Sequence, residues 1–209
     1  MRKEEITSKE LKQCICLRTG KLDFSEVTDE DIEKIGALDL RGIKFNGEPT
    51  DVVLSELALF PNLTALMISH FDLKEEDINS ISALSKLKTV QFSACDFENI
   101  SDIKIDNLDV LVFVGCTDMA KLKMPKSRVL RIIGSEVNFD SVNAGNVEKM
   151  LLQNSLIKNF TSLDSNDNLL EVNLDGSTIY DKENNVVTEV KVPVGTYLSH
   201  EEEFEPEER

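Results

Sequence analysis

The apolar residues of this chain fall at a spacing that neither a helix nor a simple alternating strand produces. Leu87, Val90, Phe92, Cys95 and Phe97 stand at offsets 0, 3, 5, 8 and 10 from the first of them. The same offsets hold Ile35, Leu38, Leu40, Ile43 and Phe45, then Leu63, Leu66, Ile68, Phe71 and Leu73. A fourth window keeps Leu108, Leu111, Phe113 and Cys116 but has Asp118 in the last place, and a fifth is Ser127, Leu130, Ile132, Ser135 and Val137. Val147, Met150, Leu152, Ser155 and Ile157 form the sixth; Leu169, Val172, Leu174, Ser177 and Ile179 form the seventh. The intervals between window starts are 28, 24, 21, 19, 20 and 22 residues. Offsets 3 and 5 share one face of a strand, and a unit that cannot bury its own apolar face must stack on its neighbours. The pattern therefore predicts a solenoid of short parallel strands.

These windows resemble the leucine-rich repeat family, whose signature is L-x-x-L-x-L-x-x-N/C-x-L. The resemblance covers about 160 residues, Ile35 to Tyr197. It implies an α/β leucine-rich repeat solenoid, right-handed and curved, with a parallel sheet on the concave face and helices, then short turns, on the convex face. The variable periods and the V-x-V-P-x-G-x-Y end are more similar to bacterial members than to the regular ribonuclease-inhibitor type. One position departs from the family. Where Asn or Cys is usual, this chain has Ile43, Phe71, Cys95, Cys116, Ser135, Ser155 and Ser177, so there is no asparagine ladder. Serine and cysteine still offer local bonds to the backbone.

Outside the windows, residues 1–34 read as an N-terminal cap or an atypical first repeat, because Leu11, Cys14 or Ile15, and Leu17 also fit a helical stripe. Thr28 before Asp29, Glu30 and Asp31 predicts an N-cap and a short helix through Lys34. The connections Asp51 to Phe60 and Lys74 to Ser85 predict α-helices, whereas the shorter connections after about residue 98 have room only for turns or 3₁₀ pieces. The solenoid should run over 35–198, with a closing strand near 186–198 placed by Val187, Val190, Val192, Gly195 and Tyr197 and marked as an edge by Pro193. The acidic stretch 199–209 is expected to be a disordered tail.

Charge narrows the function. A formal net charge of −16 removes the attraction on which nucleic-acid binding depends. No apolar run reaches the roughly 18 residues of a membrane span, and the N-terminus lacks the core of a secretory leader, so a soluble, cytoplasmic protein is expected. The four cysteines form no C-x-x-C pair and read as reduced core thiols. Two histidines without an accompanying nucleophile-base set, and no glycine-rich phosphate loop, point away from an enzyme, a metal site or a cofactor. A monomer is favoured.

What remains is binding. If offsets 3 and 5 point inward, then offsets 2, 4 and 6 line the concave face. On the fourth to sixth windows these rows carry Val110, Val112, Val114, Val129, Ile133 and Leu151, with Arg131 in their centre. Contiguous apolar surface with a polar margin is the mark of a protein-binding site, and Met67, His70, Gln91, Lys149 and Gln153 would supply that margin. The expected function is a non-catalytic protein-protein interaction module for a protein partner. A structural or cell-surface adhesive repeat protein, and the recognition arm of a regulator or effector, remain open.

Overall fold

The computed structural model describes residues 2–41, 52–105 and 108–199. Its strands are β1 (Ala37–Asp39), β2 (Ala65–Ser69), β3 (Thr89–Ser93), β4 (Leu108–Val114), β5 (Ser127–Ile133), β6 (Glu136–Asn138), β7 (Lys149–Gln153), β8 (Leu156–Lys158), β9 (Glu171–Asn173), β10 (Thr178–Ile179) and β11 (Tyr197–Ser199). Three α-helices accompany them: α1 (Lys9–Thr19), α2 (Asp29–Glu33) and α3 (Glu75–Ser82). One strand from each of eight successive coils joins a single parallel sheet in the order β1-β2-β3-β4-β5-β7-β9-β11. The short strands β6, β8 and β10 stack as a second parallel sheet later in their coils.

The register follows the windows without slippage. Leu38 pairs with Leu66, Leu66 with Val90, Val90 with Leu111, Leu111 with Leu130, Leu130 with Met150, and Met150 with Val172. All of these residues are buried, as are Ile68, Phe92, Phe113, Ile132, Leu152 and Leu174 at offset 5. A slip of one residue would turn the entire apolar set outward, so the pairing is fixed by burial. At the widest part of the core Phe92 stacks on Phe113 at 5.5 Å, and Phe97 meets both edge-on.

Among the described residues, the coils of β2, β3, β4, β5, β7 and β9 turn their corner one residue past the strand face, at offset 7. His70, Ala94, Gly115, Gly134, Asn154 and Gly176 all have left-handed backbone, with φ between 47° and 67°. His70 is therefore a corner residue on the rim, exposed to solvent. Past the corner, offset 8 turns inward and replaces the missing asparagines with a serine ladder. The N–H of Cys116 donates to Ser135 Oγ at 3.0 Å, that of Ser135 to Ser155 Oγ at 3.4 Å, and that of Ser155 to Ser177 Oγ at 3.0 Å. The hydroxyls in turn donate to strand carbonyls, Ser155 to Gln153 and Ser177 to Leu152. In the fourth window Asp118 takes a second left-handed residue and Met119 enters the core in its place.

The N-terminal segment is a helical cap. Leu11, Cys14 and Ile15 of α1 are buried, but Leu17 is 85% exposed and lies off the stripe. Arg18 Nε donates to the carbonyl of Ala37 at 2.9 Å, which closes part of the open edge of β1. Thr28 caps α2 with a reciprocal capping box to Asp31. Glu56 ties the cap to the convex segment of the first coil: its carboxylate accepts from the N–H and hydroxyl of Thr7 at 2.7 and 2.6 Å, and from Ser8 Oγ at 2.7 Å.

Three expectations are corrected. Leu54–Leu59 forms a 3₁₀ helix and not an α-helix, because Leu54, Leu57 and Phe60 are buried at intervals of three, the period of that helix. The closing strand is Tyr197–Ser199, with Leu198 opposite Val172; the valine-rich residues before it form the outer leg of the last coil, where Val190 is buried and Val187 N–H donates to Ile179. Pro193 stands outside any strand and opens the turn that leads into β11 through Thr196 N–H. Cys16 is only half-buried, unlike the other three thiols. Ile43 and Phe45, and the stretch 200–209, lie outside the described residues.

Candidate functional site

The concave face is built by the residues between the core positions. Val110 sits opposite Thr89 and Val129; Val112 sits opposite Gln91 and Arg131; Val114 sits opposite Ser93 and Ile133. Val129, Arg131 and Ile133 continue onto Lys149, Leu151 and Gln153. All three rows predicted from offsets 2, 4 and 6 are therefore continuous across β3, β4, β5 and β7. Val110, Val112, Val114, Val129, Ile133 and Leu151 are each partly exposed, which is what side chains standing shoulder to shoulder on a concave sheet allow. With strands about 4.8 Å apart, these three rungs cover roughly 10 Å by 14 Å. The two longest strands, β4 and β5, carry the centre of it.

Arg131 is exposed and stands in the middle, with Val129 and Ile133 along its own strand and Val112 and Leu151 across from it. Its side chain has no acidic or hydrogen-bonding partner among the described residues. The other bases on the concave rows are paired. Lys149 Nζ lies 2.7 Å from Glu171 Oε2, and Arg41 makes a two-bond pair with Asp39, whose carboxyl is held below the usual range by that guanidinium. Gln91 Nε2 donates to Ser93 Oγ at 2.9 Å, so its amide is occupied on its own strand. Met67 lies one strand further out, opposite Gln91, and Gln153 ends the β7 rung beside Ile133.

His70 belongs to the rim and not to the face. The corners above Val114 and Ile133 are Gly115 and Gly134, and an open groove of about 390 Å³ lies just past them, lined by Thr117, Asp118, Met119 and Glu136. On the opposite rim, where the strands begin, sequence reasoning missed a cleft of about 590 Å³ lined by Lys88, Lys104, Lys126 and Arg128. Its charge is partly compensated: Arg128 bridges Glu148 at 3.1 Å and Asp109 at 3.8 Å. The signal was legible as the alternation Lys88, Asp109, Arg128, Glu148 at offset 1 of successive windows.

The thiols offer no chemistry at the face. Cys95 is buried beneath it with its pKa pushed up to about 12, first by loss of solvation, and burial raises Cys116 likewise. Among the described residues no cluster of three or more His, Cys, Asp or Glu side chains forms a metal-holding group. No helix among them is long and apolar enough to cross a membrane.

Against solved structures, the chain is similar to internalin C2 from Listeria monocytogenes, with a TM-score of 0.54 and 18% sequence identity over 92% of this chain and 93% of that one. The fold is a leucine-rich repeat solenoid. An internalin (inlF) from the same organism aligns at a TM-score of 0.39 and 12% identity, over 86% of this chain and 72% of that one, and the likeness of fold rests on the first. No family model matches the sequence, and no curated protein matches it. The leucine-rich repeat resemblance read from the windows is thus borne out at the level of fold, including the all-parallel concave sheet.

Proposed function

We propose that this chain is a non-catalytic protein-interaction module that holds a protein partner on its concave sheet, centred on β4, β5 and β7. The observation that carries the reading is the aligned set of six partly exposed aliphatic side chains enclosing Arg131. A rigid, preorganised sheet with an apolar centre and a polar margin loses little conformational entropy on binding and excludes water from the charge at its middle. Met67, Gln91, Lys149 and Gln153 form that margin. The chemistry present is recognition, since no nucleophile is paired with a base at the face.

The test is site-specific photo-crosslinking in the native host. A photoreactive amino acid in place of Val112 should yield a discrete crosslinked protein, whereas the same group in place of the exposed Glu76 on the convex helix α3 should not. Adducts formed only from the convex position would overturn the proposal. In the chain that carries the photoreactive group at position 112, Val114→Asp with Val129→Asp should remove that adduct while the circular dichroism spectrum is unchanged.

A further inference from the structure

The charge distribution of the concave face says more than its hydrophobicity. The chain carries 39 acidic residues in 209, nearly one in five. Yet the offset 2, 4 and 6 positions of β2, β3, β4, β5 and β7, fifteen in all, hold no acid and two bases, Arg131 and Lys149. Acids return immediately outside this field, and most of them are already held: Asp39 by Arg41, Glu171 by Lys149, Asp109 and Glu148 by Arg128, and Glu136 by Lys158. Asp118 stands on the rim past the corner of β4. The result is a small acid-free island on a strongly acidic molecule, with one guanidinium at its centre that has no partner among the described residues.

Resting on the concave-face reading above, we infer that the partner presents an extended peptide segment with a carboxylate at one position and apolar side chains two residues to either side, the carboxylate docking on Arg131. In an extended segment, residues i and i±2 face the same way and lie about 7 Å apart. When the acid at i meets Arg131, the flanking apolar residues reach the pair Val129 and Ile133 if the segment runs along the strand, or Val112 and Leu151 if it runs across the sheet. A guanidinium accepts a carboxylate through two parallel bonds, and the ring of aliphatic side chains shields that contact from water once the segment is seated. A basic or neutral residue at that position would leave Arg131 covered and unpaired, the arrangement such a site rejects most strongly. The long-range field of a chain with net charge −16 repels acidic segments, so the contact must be made locally and the on-rate should rise with added salt.

The experiment is selection of a random 12-residue peptide display library on the immobilised full chain, in parallel with Arg131→Glu, Arg131→Gln and Val112→Asp/Val114→Asp, each checked for an unchanged thermal midpoint. The wild type should enrich peptides of the form apolar-x-acid-x-apolar, and Arg131→Glu should exchange the acid for Lys or Arg while keeping the apolar flanks. Arg131→Gln should weaken the wild-type peptides by at least about tenfold. Enrichment on the wild type of peptides with a neutral or basic centre, or of the same peptides on Arg131→Glu, overturns this inference; if Val112→Asp/Val114→Asp still abolishes that enrichment, the concave-face reading stands without it. Peptides that bind the wild type and the double-aspartate variant equally overturn both. No enrichment on the wild type, or self-association through this face relieved by Arg131→Glu, also overturns the inference.

Discussion

The backbone N–H of Ser155 donates to the hydroxyl of Ser177 one coil later, and Ser155 in turn accepts from the N–H of Ser135 one coil earlier. The serine ladder thus runs between coils, where it satisfies buried amides that the sheet leaves behind. Ser155→Ala keeps the first bond and removes the second, so the buried N–H of Ser135 loses its partner. The expected loss is about 1–3 kcal/mol in denaturant unfolding. Ser155→Cys should lose less, because Cys116 already occupies the equivalent place in the same ladder two coils earlier.

Ala94 is the corner residue least suited to its conformation, with φ of 47° and no polar side chain to favour it. Ala94→Gly should raise stability by about 0.5–1 kcal/mol, the relieved strain exceeding the greater freedom of glycine in the unfolded chain. The converse is Gly176→Ala. There an added Cβ would meet the side-chain amide of Asn154 as well as a left-handed φ of 67°, and the melting temperature should fall.

Glu56 makes stability depend on acid. Burial opposes its charge, but the hydrogen bonds from Thr7 and Ser8 outweigh that and hold its carboxyl below the usual range. A depressed folded pKa contributes stability that is fully present above the unfolded value, about 4.3, and is lost as pH falls through the folded one. Glu56→Gln should cost about 1–3 kcal/mol at pH 7 and show a shallower decline of unfolding free energy between about pH 5 and pH 3. Equal acid limbs for the two proteins would show that this carboxylate is not the group responsible.

The thiols should divide by burial. In the native state at pH 8 a thiol-specific chromogen should label Cys16 alone, and slowly, with Cys14, Cys95 and Cys116 becoming available only on unfolding. Rapid native labelling of Cys95 would contradict its burial.

The core and the concave rows were legible because a strict spacing over seven windows ties every strand to one register, and burial punishes any slip. Leu54, Leu57 and Phe60 show where that ended: ten residues with helical composition admit either helix type, and the burial of side chains three apart goes with the tighter one. The closing strand was misplaced for a related reason. Val187, Val190 and Val192 satisfy the apolar spacing equally well as the outer leg of a coil, and the hydrogen bond from Thr196 Oγ1 to Leu169 that sets the true register leaves no mark on an apolar pattern. The strands β6, β8 and β10, two or three residues each, are too short to carry a period at all. At the candidate site, the positions of the side chains could be read from the windows, but not which of them were already paired. That Lys149 is engaged and Arg131 has no partner among the described residues depends on Glu171 lying opposite the one and Val112 and Leu151 opposite the other.

The column of left-handed corners from His70 to Gly176 has a consequence for how the molecule tolerates change. Each strand and its corner form a fixed ruler, while the coils differ in length only along the convex segment that leads from one corner to the next strand. Residues inserted on the convex side of a coil therefore leave the binding face undisturbed, and the same residues inserted before a corner would put every later rung out of step. Tags, labels or grafted loops belong after Asp164, an exposed residue on the convex segment of the 22-residue coil.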